Sequence, residues 1–244
     1  MTMLEGIPFG KQYFKIGIIL RDSLLVSSML FNAEAWYNIT SKELELLESV
    51  DLSLLRKLLK APKGTPKEMF YLELGIIPFR DIVIERRLNF LYTILNENEE
   101  SLLRKFFIAQ CKYKTKKDWV TMIENDLKYL EIDYLTYENI KTMKKLKFRK
   151  LVKQQVEIKT LEKLENLKLS HSKVKNIEHM SLVMQKYLQP NSSKISKDDA
   201  QLIFKLRCRV TNVKTNMKGK YEKLECRACN LEEESQKHIM ECKL

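Results

Sequence analysis

Residues 40–66 read TSKELELLESVDLSLLRKLLKAPKGTP. Thr40 can cap a helix while Glu43, three residues on, reaches back to it, the reciprocal arrangement of a capping box. Leu44, Leu47, Val50, Leu54, Leu55 and Leu58 then recur at helical period. The run stops at APKGTP, where Pro62, Gly64 and Pro66 end any helix. A long capped helix with a sharp stop sets the reading of the fold, and its flanks extend it. Upstream, residues 11–31 read as a helix whose Phe14, Ile16, Ile18, Ile19, Leu20, Leu24, Leu25, Met29 and Leu30 predict burial on most sides. Downstream, a short helix runs to Leu74 with Gly75 just past its end. Pro78 breaks the chain again before a helix over FRDIVIERRLNFLYTIL (79–95).

Composition agrees. The 244 residues contain only 6 Gly and 5 Pro, and 44% are apolar. Scarce helix breakers among many Leu, Lys and Glu predict an all-α protein. Further helices are expected at 99–113, 117–130, 136–167, with an interruption, and 181–188. QPNSSKIS (189–196) has the composition of a linker. Ser196 then caps a helix with Asp199 at its third position. In the helix that follows, Phe204, Leu206, Cys208 and Val210 alternate with Lys205, Arg207, Arg209 and Thr211, a strand period. The cap and flanking residues favour helix there. The expected organisation is a helical bundle over 1–97, a basic helical region over 98–195, and a basic helix with a small metal module over 196–244.

The formal charge is +12 and the isoelectric point is near 9.3. Such a balance points to a polyanionic partner. It is concentrated in residues 141–175, which hold twelve Lys/Arg against three Glu. The start, MTMLEGIPFG, has no basic stretch leading into an apolar run, so no secretory leader is read. IGIILRDSLLVSSMLF (16–31) is interrupted by Arg21 and Asp22 and is too short to span a bilayer. A reducing compartment, nucleus or cytoplasm, is expected, where cysteines serve as metal ligands or buried thiols.

Three of the five cysteines and one of three histidines fall in CRACNLEEESQKHIMEC (226–242). The spacing is Cys226-x2-Cys229-x8-His238-x3-Cys242. The first pair presents two thiolates from one turn, and the second pair lies one helical turn apart on one face. Three thiolates and an imidazole make a closed tetrahedral set suited to one structural zinc ion. Leu224, Leu231, Ile239 and Met240 are too few to fold the tail, so metal binding would supply its folding energy. Cys111 and Cys208 lie alone in apolar helical patterns and read as buried small hydrophobes. His171 and His179 read as surface imidazoles.

The Lys-rich helix KTMKKLKFRKLVK (141–153) is the leading electrostatic candidate. Leu146, Leu151 and Val152 would face a core or a partner, and Phe148 a core in preference to a base. Lys144, Lys145, Lys147, Arg149, Lys150 and Lys153 would follow phosphates without reading sequence. A third cluster of Lys205, Arg207, Arg209, Lys214, Lys218, Lys220 and Lys223 leads into the metal module. Arg56, Lys57, Arg86 and Arg87 are weaker candidates; Arg86 and Arg87 could instead pair with Glu73 or Glu85. Glu232 to Glu234 form an acidic loop that would turn nucleic acid toward the Lys214–Lys223 side.

MLFNAEAWYNITSKELELLESVDLSLLRKLLKAPKGTP (29–66) resembles the thumb region of non-LTR retrotransposon reverse transcriptases. In that family a phrase of the form LL(Y/F)G(S/A)E.W precedes a capped helix and an LRKLL run. Here it reads Leu30, Phe31, Asn32, Ala33, Glu34, Ala35 and Trp36, then Leu54, Leu55, Arg56, Lys57, Leu58 and Leu59. YLELGIIPFRDIVIERRLNFLYTIL (71–95) is similar to the family's next segment through Glu73, Leu74, Gly75, Pro78, Arg86, Arg87 and Phe90. Residues 226–242 match the order of its terminal Cys-Cys-His-Cys knuckle. The resemblance implies a thumb that grips a duplex, a helical linker and a zinc knuckle.

The family's catalytic Asp residues lie in a palm domain ahead of the thumb, and nothing here matches them. Asp198-Asp199 falls at a helix start and reads as a cap with first-turn acids. The expectation is a non-catalytic binder of RNA or DNA with little sequence preference and no membrane role. The alternatives are a repurposed or decayed helical module that meets a parent polymerase or other protein, and the tail of a longer active reverse transcriptase.

Overall fold

The computed structural model describes residues 12–37, 39–170, 180–190, 195–217 and 219–242, with backbone only at 168–170. His171, His179, Lys218 and residues 191–194 of the expected linker lie outside them. Helix α1 (Tyr13–Leu20) runs into a π-helical turn (Arg21–Val26) and a short α2 (Ser27–Met29). A 3₁₀ turn (Ala33–Ala35) leads to α3 (Ser41–Leu58), α4 (Lys67–Leu74) and α5 (Phe79–Asn96). Then come α6 (Leu102–Lys112), α7 (Trp119–Tyr129), α8 (Tyr137–Thr142) and α9 (Lys145–Ser170). A 3₁₀ turn (Lys186–Leu188), α10 (Lys197–Arg207), a further 3₁₀ turn (Lys214–Met217) and α11 (Gln236–Glu241) follow. Among the described residues there is no strand, only an isolated antiparallel bridge between Glu225 and Glu233. The protein is all-α.

Local chemistry explains most helix ends. The Thr40 N–H donates to Glu43 Oε2 at 2.7 Å and the Glu43 N–H to Thr40 Oγ1 at 3.3 Å, the reciprocal cap at the start of α3. Thr136 with Asn139 and Ser196 with Asp199 form the same arrangement at α8 and α10. Gly75 ends α4 in the left-handed region, with φ 66° and ψ 41°. A side chain there would also strike the backbone of Val183 and Met184. Residues 204–207 are helical, so capping outweighs the alternating pattern.

Two expectations need correction. The 11–31 segment is not one regular α-helix buried on most sides: it turns π-helical at Arg21, and Ile19 and Leu24 are exposed. Arg21 itself points inward and is 2% exposed, its Nε and Nη2 donating to the two Asp51 carboxylate oxygens at 2.7 and 2.8 Å. The 181–188 helix is reduced to one 3₁₀ turn. Its backbone is recruited elsewhere, with the Gln185 N–H donating to the Glu73 carbonyl at 3.0 Å.

Two compact units are interleaved in sequence: Met1–Leu20, Leu52–Ile76 and Asn166–Leu244 in the first, Arg21–Asp51 and Ile77–Glu165 in the second. Two of their boundaries fall inside α3 and α9, and the units do not coincide with the three consecutive stretches 1–97, 98–195 and 196–244. Buried Leu55, Leu58, Leu59, Met69, Phe70, Leu188, Phe204 and Val213 contribute to the first unit's core. Phe70 and Phe204 rings lie 5.5 Å apart there. Gly17 lets α1 approach Leu58 more closely than any Cβ would allow.

In the second unit one cluster joins Leu88, Leu91 and Leu95 of α5 to Val120 and Ile123 of α7, Ile140 of α8 and Phe148, Val152 and Val156 of α9. A smaller cluster gathers Val26, Leu30, Ala33, Phe79 and Val83. The buried Asp81 accepts from Thr160 Oγ1 at 2.9 Å and so ties α9 to α5.

Asp51→Ala removes the buried, two-pronged partner of the Arg21 guanidinium and leaves it only the exposed Asp22 carboxylate on Nη1, at 2.8 Å. A loss of about 3–5 kcal/mol is expected from urea unfolding. Replacing both members with apolar residues of similar volume is expected to cost less than the single change.

Candidate metal centre

The tail builds its site with almost no hydrophobic core. The Cys226 N–H donates to the Glu232 carbonyl and the Glu234 N–H to the Leu224 carbonyl, each at 2.7 Å. These bonds flank the 225–233 bridge and hold a loop closed by Asn230 at φ 57°. The loop presents Cys226 and Cys229 together. Ser235 caps α11, accepting from the His238 N–H at 3.0 Å. That helix carries His238, and Cys242 is its C-cap residue.

One ligand atom from each of Cys226, Cys229, His238 and Cys242 lies within 4.8 Å of all the others. Thiolates around one tetrahedral ion stand about 3.8 Å apart, given metal–sulfur bonds of about 2.3 Å. The four side chains are thus close enough to hold one metal ion after a small contraction. His238 Nε2 faces Cys229 Sγ at 3.2 Å, while Nδ1 meets Glu232 Oε2 at 3.1 Å. A carboxylate on the far nitrogen is the usual device for aiming an imidazole at a metal. Backbone N–H groups lower the Cys226 and Cys229 thiol pKa values and favour thiolate. Burial, reinforced by those two sulfurs, pushes Cys242 up to about 11.

The anchor of the tail is Glu234, expected from the sequence to be part of a free acidic loop. It is instead 1% exposed. It accepts from Arg227 through the backbone N–H at 3.0 Å and Nε at 2.7 Å, and from the Lys214 N–H at 3.2 Å. Hydrogen bonding by Arg227 pulls its carboxyl down to about 2. Gln236 Nε2 donates to the Leu206 carbonyl at the end of α10, at 2.6 Å, and Thr211 Oγ1 to Gln236 Oε1 at 3.1 Å. Meanwhile Leu231 is 85% exposed, and Ile239 and Met240 are also outward. Polar bonds and the ligand set take the place of a core.

The cationic candidates separate into two groups. Lys144, Lys145, Lys147, Arg149, Lys150 and Lys153 are all exposed around the first turns of α9, in the second unit. Phe148 beneath them is fully buried, stacked on Tyr92 at 5.7 Å, as core packing requires. Leu146 is exposed, not directed into a core. In the first unit, Lys205 and Lys214 are half-buried, while Arg207, Arg209, Lys220 and Lys223 are exposed. Arg207 Nε is engaged by Glu73 at 2.8 Å, and Lys214 Nζ donates to the Glu225 carbonyl at 2.7 Å. Arg56 and Lys57, with Ser53, Lys60, Ala61 and Lys63, line an open cleft of about 490 Å³. Arg56 Nε is buried there without a hydrogen-bond partner.

Arg86 and Arg87 are corrected most. Arg87 is buried against Asp126, with bonds of 2.7 and 2.9 Å, and Arg86 Nη1 donates to the Leu30 carbonyl at 2.5 Å. Arg86 lies near enough to Glu85 to favour its charged form, but its hydrogen bond goes to the Leu30 carbonyl. Cys208 is buried as expected, but Cys111 is exposed. No helix among the described residues is long and apolar enough to cross a membrane. In comparisons with known proteins, no family model, no curated protein and no solved structure matches the chain.

Native mass spectrometry in reducing buffer is expected to find one metal ion per chain. Cys229→Ser should lose it, along with the ordered amide signals of residues 224–242. The Glu234 carboxyl is depressed in the folded protein. Its contribution to stability is therefore complete above about pH 4.5, the unfolded value, and is lost as pH falls toward 2. Carboxyl NMR titration should place its midpoint near 2, and Arg227→Met should raise it.

Proposed function

We propose that the protein is a non-catalytic nucleic-acid-binding module whose tail is fixed by one structural zinc ion. The observation that carries this reading is the cation face of α9. Lys144, Lys145, Lys147, Arg149, Lys150 and Lys153 all point to solvent, and none forms a salt bridge within the described structure. Lys144, Lys145 and Lys147 are placed unfavourably for the helix, because cations in the first turn oppose the macrodipole at about 0.3–1 kcal/mol each. Phosphates placed there relieve both the mutual repulsion and the dipole. A lysine-dominated surface of this kind binds backbone, not base edges, so RNA and DNA of any sequence serve. The cleft of Arg56, Lys57, Lys60 and Lys63 offers a second anion surface of the same character.

Zinc is the assignment for the ion because three thiolates and one imidazole form a closed, soft, tetrahedral shell without an open position. Descent from the C-terminal part of a non-LTR retrotransposon reverse transcriptase is part of the same proposal. It is supported by the order of the matching phrases and by Asn32. This residue stands where the family phrase has glycine, and its φ of 53° lies in the left-handed region that favours glycine or asparagine. A second reading, a helical protein-interaction module, draws on the uncovered apolar face of α6.

Fluorescence anisotropy with a single-stranded oligonucleotide tests the proposal. Log affinity should fall linearly with log salt between about 50 and 200 mM, with a slope near −4 if all six α9 cations meet phosphates. Replacing Lys144, Lys147 and Lys150 with Gln should make the slope shallower by about 2 and leave metal content unchanged. Binding that ignores salt would sink the proposal.

A further inference from the structure

Helix α6 is held to its unit by little. Phe107 is its sole fully buried side chain, in contact with Tyr137 and Trp119 rings. Its outer face is apolar. Leu102 is 80% exposed, Phe106 63% and Tyr113, its C-cap, 70%, with Leu103 beside them. Positions 102, 106, 109 and 113 follow the spacing of a helix–helix seam, and Ala109 supplies the small residue in it.

The ends of this seam carry opposite charge. Glu97, Glu99 and Glu100 precede Leu102, while Lys112, Lys114, Lys116 and Lys117 surround Tyr113. Glu100 is paired with Lys105, and Lys114 with Glu124. Glu97, Glu99, Lys116 and Lys117 are exposed and form no ion pair within the described structure.

We propose that α6 is a homodimerisation surface that receives α6 of a second copy in antiparallel orientation. In that register the bulky Phe106 meets Ala109 of the second copy, and Leu102 meets Tyr113, so large faces small at the centre on both sides of a two-fold axis. The same antiparallel orientation brings the acidic segment before α6, with Glu97 and Glu99, to the side of the basic segment that follows α6 of the second copy, with Lys116 and Lys117. A closed, isologous contact follows, in which each residue pair occurs twice. The acidic end disfavours a nucleic-acid strand or an anionic membrane along this face, because both would meet Glu97, Glu99 and Glu100. This inference does not depend on the nucleic-acid reading, since α6 and α9 present different residues. A contact built from one short helix per copy stands at the small end of specific interfaces, so a weak, reversible dimer is expected.

Sedimentation equilibrium of the metal-loaded, nucleic-acid-free protein tests it, from about 1 to 200 µM. The expected result is a reversible monomer–dimer equilibrium. Phe106→Asp, at an exposed position, should weaken it by roughly tenfold or more. Glu99→Lys and Lys116→Glu should each weaken it several-fold. The double variant should restore it, because the charges are exchanged and remain complementary. A monomer over the whole range, or a double variant no tighter than either single change, would overturn the proposal. So would a dimer that Phe106→Asp leaves intact. Circular dichroism on each variant separates loss of association from loss of fold.

Discussion

A single buried carboxylate, Glu73, organises the part of the protein that carries the candidate metal ligands. It is 1% exposed. An acid in that position needs partners, since an unpaired buried charge costs several kcal/mol. Tyr187 OH donates to it at 2.7 Å and Arg207 Nε at 2.8 Å, and its backbone carbonyl takes the Gln185 N–H. Three separate stretches, α4, 185–187 and the end of α10, are thereby set around one side chain. The end of α10 in turn receives Gln236 through the Leu206 carbonyl, and Gln236 opens the helix that bears His238. The imidazole is thus placed through a chain of polar contacts that begins 165 residues earlier in the sequence.

The tail repeats the device at smaller scale. With Leu231, Ile239 and Met240 outward, hydrophobic burial contributes little to its fold. Glu234 gathers Arg227 and the Lys214 backbone, Glu232 orients the imidazole, and the ligand set supplies the rest. A module built in this way is expected to be ordered with its ion and weakly ordered without it.

Arginine and lysine divide the work of a strongly basic chain. Asp51, Asp126, Glu73 and Glu234 are buried, and each is engaged by an arginine: Arg21, Arg87, Arg207 and Arg227. The planar guanidinium suits a bidentate, desolvated pair. Asp81 differs, meeting Lys163 at 3.5 Å and a threonine hydroxyl. The exposed face of α9 is mostly lysine, whose hydrated point charge suits loose contact with phosphate. Net charge alone therefore overstates what is available to a partner, because many of the arginines counted in it hold the fold together.

Local signals were legible from the sequence. The capping boxes at Thr40, Thr136 and Ser196, the stop at Gly75, the all-helical character and the four metal ligands depend on residues near each other in the chain. Their energetics are set within one or two helical turns, so pattern and spacing sufficed; at Thr136 only the helix start was read, and Asn139 escaped notice. What the tertiary structure decided is which charges are buried. Arg21 looked like an interruption of an apolar run, Arg87 like a candidate for phosphate contact, and Glu234 like part of a solvated loop. Each proved to be an internal partner, because desolvation depends on neighbours 7 to 39 residues away. The same holds for Cys111, set in an apolar stretch of sequence, and for Leu146, set among lysines: both side chains are exposed. Sequence spacing marks most of the helices and the four candidate ligands. Burial, which no spacing encodes, determined which cations remain free to meet a partner.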